Sequence, residues 1–574
     1  MQKVMIGFIS LLVMCPLYFQ GEGSVGNLDA DLSEHGLGLL FANPDIVIPD
    51  HKVTYIAPAS PELDIRTNHS IHSVINSAGL PPVRSQGSQG SCTAWASAYY
   101  HRTHLEWREK QWDVNLTSYQ CSPAFLYHHI NGGSDTGSFI HEAMDFMCTM
   151  GCASYQEMPY SASDATSWPS SSQTYRNALQ FRAWNYSYIS TATDSGLTNL
   201  KQHIANGGTA VIAINVYSNF DYISSFNNTY CESEVYGTNR GGHAVTVYGF
   251  DDDRQTADGP GAFCLVNSWG TGWGDAGHFW MSYKAMKNAT ICWLTAYFLT
   301  DRTNYTPSLV AEVKIQHAYR GEIMWNGITG GIGNVTSPSY SLKILDFNSI
   351  QGYVGISSYQ RYAFPDCNIV IDLSDGVNYI NHSTKNRIFV KVNDAYSGTT
   401  GTIQFLNATD YNWGITNVSN ETPVSIPDGG SYVYANVTLE AKIGFEHTPP
   451  GSVLQGETIP VSVRITSTLS LSGVWVYYKP VGDTTWYAMG MSLTSGNSTD
   501  GNYTATLPAQ GAAGTLEYYF YALDSGGYAS QTENYTVIVQ PAATESGQVL
   551  MFCIVVAGLI AALQGCSCSR KKVK

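Results

Sequence analysis

The stretch Gln86-Gly87-Ser88-Gln89-Gly90-Ser91-Cys92-Thr93-Ala94-Trp95 carries a glycine-containing loop into a helix-like run. That run, Cys92–Lys110, puts Trp95, Ala96, Tyr99 and Leu105 at helical spacings. A cysteine at the start of a helix feels the positive end of the macrodipole, which favours its thiolate and lowers its pKa. The glycines let the backbone approach a bound peptide closely. Free amides at the helix start are suited to donate to a developing oxyanion. Structural or disulfide-bonded roles are the usual fate of an exported cysteine, so Cys92 alone leaves both readings open.

Two further segments weight the catalytic reading. His243 lies in Asn239-Arg240-Gly241-Gly242-His243-Ala244-Val245, at the mouth of an apolar strand behind two glycines. Asn267 lies in Leu265-Val266-Asn267-Ser268-Trp269-Gly270-Thr271-Gly272-Trp273-Gly274, at the end of another. A buried Asn needs a hydrogen-bond partner. An imidazole N–H is a fitting one, because the amide oxygen fixes ring orientation and tautomer without adding charge. Trp269 is expected to cover that bond.

Together these motifs resemble the papain family of cysteine peptidases. The resemblance implies Cys92 as nucleophile, His243 as general base, Asn267 as the residue that orients it, and Gln86 as a side-chain oxyanion donor. The separation of Cys92 and His243, about 150 residues, suits the family. It covers roughly residues 58–300 and implies an α+β, two-subdomain catalytic fold, with a helical half and a β-rich half. Two positions depart from the family's Cys-Gly-Ser-Cys-Trp: Gln89 replaces the first Cys and Thr93 the Trp. The disulfide beside the site is therefore missing. For the backbone that pairs with substrate, Gly137-Ser138 is preferred to Gly132-Gly133, since it sits better before the helix-like run Phe139–Met150. Gly137, Ser138 and Trp269 are the expected substrate contacts. No metal or organic cofactor is required.

The rest of the chain suggests where such a domain is displayed. Val4–Phe19 is a short apolar run after Lys3, the layout of a secretory signal. No charged residue occurs between Ser546 and Ser569, and Arg570, Lys571, Lys572 and Lys574 follow. At about 1.5 Å per residue that stretch spans a bilayer core of roughly 30 Å, with the basic tail expected in the cytoplasm. Sequons such as those at Asn115, Asn185, Asn288, Asn334, Asn436, Asn502 and Asn534 fit an extracellular glycoprotein. An exported location also permits disulfides among Cys121, Cys148, Cys152, Cys231, Cys264, Cys292 and Cys367, with no pairing deducible. The formal net charge of −16 excludes nucleic acid as a partner, because phosphate binding needs clustered Lys and Arg.

After Thr306 helical periodicity gives way to short strand-sized runs, and a second β unit begins around residues 440–444. There Val474, Val476 and Tyr478 alternate with Trp475, Tyr477 and Lys479, a period of two. The expected organisation is a signal peptide over 1–20, a short N-terminal or pro region over 21–57 and the peptidase domain over 58–305. A β-rich domain over 306–438 and an immunoglobulin- or fibronectin-like sandwich over 439–541 follow. A transmembrane helix over 546–569 and a basic tail over 570–574 close the chain. The β units read as a spacer, since no binding motif appears in them, with glycan or protein adhesion as the sharper alternative. The expected function is a membrane-displayed cysteine endopeptidase acting on proteins or peptides. The rival is a catalytically inactive surface adhesin on the same fold, which loss of the Cys, His or Gln would signal; none is lost.

Overall fold

The computed structural model describes residues 35–40, 53–55, 72–346, 362–380, 385–412, 415–439, 443–467, 469–525 and 529–542. The expected signal peptide, transmembrane helix and basic tail lie outside the described residues. Among those described, no helix is long and apolar enough to cross a membrane.

The loop at 86–91 enters a continuous helical run, Cys92–Ala94, Trp95–Arg102 with π geometry, and Thr103–Lys110. All of Cys92–Glu106 is buried. A run buried on every side is a central helix, which explains why its apolar stripe is so weakly one-sided. Helices Pro123–Ile130 and Ile140–Thr149 pack beside it. Ser122 caps the first of these by accepting a hydrogen bond from the Phe125 amide, with Pro123 in the first turn. These helices form one half of the unit that the sequence expects to be catalytic.

The other half is a sheet centred on Ala210–Val216, Gly241–Thr256 and Gly259–Val266, with Cys292–Asp301 and Ala183–Ser190 beyond one side and His278–Ser282 beyond the other. Ala210–Val216 pairs antiparallel with Gly241–Thr256, which sets Ile214 opposite His243. Its residues alternate little because both faces are covered.

Residues 309–439 form two small sheets around Leu309–Gln316 and Asn386–Val392. Sequence periodicity marked strands here but missed Leu309–Gln316 and Ile328–Asn334, and the short helix Arg320–Met324. This unit shares one continuous hydrophobic cluster with the helical half of the catalytic unit, through residues such as Met147, Leu179, Ile371 and Leu373. Residues 443–540 form two further sheets with their own core, including Val461, Val463, Val476 and Phe520.

Two expectations need correction. All eight described cysteines are buried and none is paired in a disulfide, and Cys121 and Cys152 contact one another. Asn436 is buried and its side-chain amide donates to the Glu421 carboxylate, so that sequon does not offer an accessible acceptor.

Charged side chains cross the first domain boundary. Arg182 Nη1 lies 2.5 Å from the Asp372 carboxylate, with both side chains at most 2% exposed, and Arg182 Nε donates to the Cys148 carbonyl at 2.9 Å. Arg302 grips Asp375, and Arg176 grips Glu312, each through two hydrogen bonds. Removing one partner of a buried pair strands the other charge, at a cost of about 3–5 kcal/mol. Asp372→Ala is therefore expected to lower the denaturant midpoint of both the catalytic unit and the 309–439 unit together. Replacing both partners with leucine should cost less than either single alanine; two separate transitions in urea would contradict a shared core.

A second prediction concerns acid. His104, His129 and His203 are buried neutral, and burial pulls them down to about 4, about 3 and about 4 from 6.5. The unfolded chain therefore takes up protons first, so stability is complete above about pH 6.5 and falls as pH drops toward 4. The melting temperature should decline between pH 7 and pH 5; a flat profile across that window would refute these neutral states.

Candidate active site

The site assembles where the helical half meets the sheet. Cys92 opens the central helix and is fully buried. His243 and Asn267 come from the strand Gly241–Thr256 and the residue after Gly259–Val266. Their side chains meet: His243 Nε2 donates to Asn267 Oδ1 at 2.7 Å. Because the amide oxygen can only accept, Nε2 holds the proton and Nδ1 keeps its lone pair. Nδ1 has no hydrogen-bond partner in the described structure. Trp269 covers the pair, with its ring 4.9 Å from that of His243, and Phe220 and Trp273 pack behind it.

Gln86 is equally buried and is held on both sides. Its Oε1 accepts from Ser268 Oγ at 2.5 Å and its backbone N–H donates to the Ser268 carbonyl at 2.8 Å. Its Nε2 donates to the Gln89 carbonyl at 2.8 Å, which leaves one N–H for the cleft. The loop before Cys92 has three more supports. Tyr160 donates to the Gln86 carbonyl, Ser91 Oγ and Tyr160 Oη are 2.7 Å apart, and Asp135 accepts from the Gly90 amide at 2.8 Å. Asp135 also accepts from Tyr127 at 2.7 Å, which ties the loop to the helix Pro123–Ile130. Sequence reasoning missed Ser268, Tyr160 and Asp135. Only Ser268 had a signal, as the residue after Asn267.

The cleft is filled by the chain's own residues 35–40. Leu39 bridges Ser138 in parallel and Gly242 in antiparallel sense. The Ser138 amide donates to the Gly38 carbonyl at 2.8 Å, and the Leu40 amide to the Ser138 carbonyl at 3.1 Å. Gly137 has φ +101°, and a side chain there would meet the Gly38 carbonyl oxygen at 2.2 Å. Gly132 and Gly133 instead form the turn after Pro123–Ile130, where Asn131 accepts from the Gly133 amide. The remaining Gln86 N–H donates to the Gly36 carbonyl at 2.9 Å, and His35 stacks on Trp269 with centroids 4.7 Å apart. Gly38 lies against Gly90, so closely that a Cβ would stand 1.8 Å from the Gly90 carbonyl oxygen.

This occupant changes the electrostatics expected from the helix start. Burial pushes the Cys92 thiol up, and the amides of Ala244, Gly38 and Thr93 around the sulfur pull it down less strongly. Burial likewise pulls His243 down to about 4 against the opposing bond to Asn267. Both shifts favour the neutral forms, thiol and imidazole, while residues 35–40 fill the cleft. The sulfur faces the Gly38 amide, whereas the carbonyl at Gln86 belongs to Gly36, two residues away. No single peptide unit is offered to both groups.

One other cluster has metal-ligand chemistry: His317, Glu322 and Asp394. The Tyr319 amide donates to His317 Nδ1 at 3.1 Å, so Nε2 carries the proton, facing Asp394 at 3.2 Å. Neither ring nitrogen has a lone pair left for a cation, and the cluster reads as a buried hydrogen-bond network.

Residues 63–297 match the family model for papain family cysteine proteases. The gamete and mating-type specific protein A of Dictyostelium discoideum is 31% identical over 200 residues, 34% of this chain and 39% of that protein. Cathepsin B-like CP2 of Giardia intestinalis is 27% identical over 213 residues, 35% of this chain and 64% of that protein. The chain thus spans under two thirds of the length of these relatives. Among solved structures, xylellain, a cysteine protease from Xylella fastidiosa, is 22% identical, covering 47% of this chain and 97% of that one, with a TM-score of 0.37.

The close approach at Gly38 generates a prediction. Gly38→Ala drives a methyl into the Gly90 backbone and should lift residues 35–40 from the cleft. Alkylation of Cys92 by iodoacetamide, followed by peptide mass mapping, should accelerate as the thiol is uncovered and its desolvation is relieved. An unchanged alkylation rate would show that the segment does not shield the thiol.

Proposed function

Taking residues 63–297 as a papain-family cysteine protease domain, we propose that this chain is a cysteine-type endopeptidase held latent by its own residues 35–40. The observation that carries the reading is the 2.7 Å His243–Asn267 bond that fixes the imidazole tautomer, with the Cys92 sulfur against the amide of Ala244, the residue after His243. Once the cleft empties, water and substrate reach the site and the thiol and imidazole become free to exchange a proton. The Cys92 thiolate then attacks a peptide carbonyl carbon, and the oxyanion is stabilised by Gln86 Nε2 and the Cys92 amide. His243 gives its proton to the leaving amine, breaking the C–N bond and leaving an acyl-thioester on Cys92. His243 next takes a proton from water, which attacks the thioester and releases the acid. Asn267 holds the ring through both transfers. Ser138 offers its amide and carbonyl, now paired with residues 38–40, to the backbone of a protein or peptide substrate.

In the same reading the catalytic unit works outside the cell, exported by residues 1–20 and anchored by 546–569, with sugars on exposed sequons such as Asn115, Asn334 and Asn534. Protease protection of tagged termini in membrane vesicles tests that arrangement.

The deciding experiment for the chemistry uses wild type, Gly38→Ala, Cys92→Ala and Asn267→Ala. An epoxysuccinyl inhibitor should label the first two, faster in Gly38→Ala, and never Cys92→Ala. Cleavage of a peptide library should vanish in Cys92→Ala and fall about 10- to 100-fold in Asn267→Ala, from the loss of imidazole orientation. Equal cleavage by wild type and Cys92→Ala would overturn the assignment; labelling without any cleavage would favour the inactive-adhesin alternative.

A further inference from the structure

Two pieces of backbone face each other across the cleft. The loop at 86–91 leads into Cys92, and the segment Gly137-Ser138 pairs with whatever backbone lies in the groove, now residues 38–40. Gln89 takes the place of the first cysteine of the papain-family motif, and among the described residues no disulfide fixes this loop. The Gln89 amide donates to the carbonyls of Asp164 and Ser161, at 2.8 and 3.3 Å. Those bonds tie the loop to residues 161–164 and leave its position relative to Gly137-Ser138 to other groups.

Two side chains make that connection. Tyr127, fully buried on the helix Pro123–Ile130, donates its hydroxyl to Asp135 Oδ1 at 2.7 Å and accepts from the Gly137 amide at 3.2 Å. The same Asp135 oxygen accepts from the Gly90 amide at 2.8 Å. One carboxylate oxygen and one phenol therefore join Gly90, two residues before Cys92, to Gly137, the residue before Ser138. The packing is close, since a Cβ on Gly90 would stand 3.3 Å from Asp135 Oδ1 and 3.3 Å from Tyr127 Oη. Thr93, the other departure from the motif, adds a parallel link by donating its hydroxyl to the Ser138 carbonyl at 3.3 Å.

These bonds join the two parts whose spacing the chemistry needs. Cys92 supplies the sulfur and an amide for the oxyanion, whereas Ser138 grips the backbone that carries the carbonyl. Attack requires sulfur and carbonyl carbon about 3–3.5 Å apart and aligned. A shift of one loop against the other enters that distance directly. We propose that Asp135 is a positioning residue: through the Gly90 amide and Tyr127 it holds the nucleophile loop and the substrate-pairing segment as one unit. The inference rests on the peptidase reading and adds to it the part of the site that keeps sulfur and substrate in register. Hydrogen bonds thereby take over a task that a covalent bridge beside the nucleophile would otherwise perform.

The test compares variants in the full chain carrying Gly38→Ala, which takes residues 35–40 out of the comparison. Asp135→Ala should lower kcat/KM on a peptide substrate about tenfold or more, because the carbonyl is no longer held on the sulfur. Iodoacetamide needs only the sulfur, so its alkylation of Cys92 should stay within about threefold of the parent. Asp135→Asn keeps an oxygen that can accept both bonds and should recover cleavage to within about threefold of the parent. Tyr127→Phe frees Gly137 while Asp135 still holds Gly90, and should raise KM more than it lowers kcat. The proposal is overturned if Asp135→Ala cleaves within about twofold of the parent, or if Asp135→Asn is as impaired as Asp135→Ala. Alkylation slowed as much as cleavage would also overturn it, as the mark of a disordered site and not of lost register. A parent that is alkylated at Cys92 but cleaves nothing would remove the peptidase reading itself, and this inference with it.

Discussion

Two consecutive residues, Asn267 and Ser268, hold the active-site halves in register. The Asn267 side-chain oxygen accepts from the His243 imidazole, and its backbone carbonyl accepts from Tyr100 on the Cys92 helix. Ser268 joins the Gln86 loop through both its backbone and its hydroxyl. The His243 ring, the Cys92 helix and the Gln86 loop are thereby referred to one short piece of chain. A displacement of that piece would move all three together, so their mutual geometry survives small motions between the halves. Burial strengthens each of these bonds and makes each costly to lose.

Much of this was legible in the sequence because the chemistry is local. Gln86, Cys92, His243 and Asn267 each sit in a short motif with a turn or strand end to mark it. What stayed hidden depends on partners far along the chain. Asp135 looks like an ordinary loop carboxylate until the fold brings the Gly90 amide and Tyr127 to it. The Cys92 helix start predicts a depressed thiol pKa, yet the thiol is raised, because desolvation by burial outweighs the amides of Ala244, Gly38 and Thr93 that favour the thiolate. The sequence at 35–40, His-Gly-Leu-Gly-Leu-Leu, is too short and too glycine-rich to announce a strand. In the fold Leu39 makes only isolated bridges, to Ser138 and Gly242.

The junction between the catalytic unit and residues 309–439 follows the same logic. Arg182, Arg302 and Glu312 read as scattered surface charges in the sequence, and each is completed by a residue more than sixty positions away. Apolar cluster and ion pairs together make this junction resemble the interior of one domain more than a contact between two. The C-terminal sandwich, with a core of its own, keeps its inner and outer strand faces chemically distinct. That distinction came through in the period-two pattern of Val474, Val476 and Tyr478 against Trp475, Tyr477 and Lys479.

Residues 35–40 are covalently part of the chain whose cleft they fill, and that has a quantitative consequence for anything that seeks the same groove. A tethered peptide competes at an effective concentration fixed by its linker and independent of how dilute the protein is. An external peptide therefore meets a binding site available only for the fraction of time the tether has let go, and its apparent affinity is scaled down by that fraction. Cutting anywhere between Leu40 and the catalytic unit would abolish this advantage without altering a single contact in the groove. The occupant would become an ordinary ligand, diluted into solution on its first dissociation.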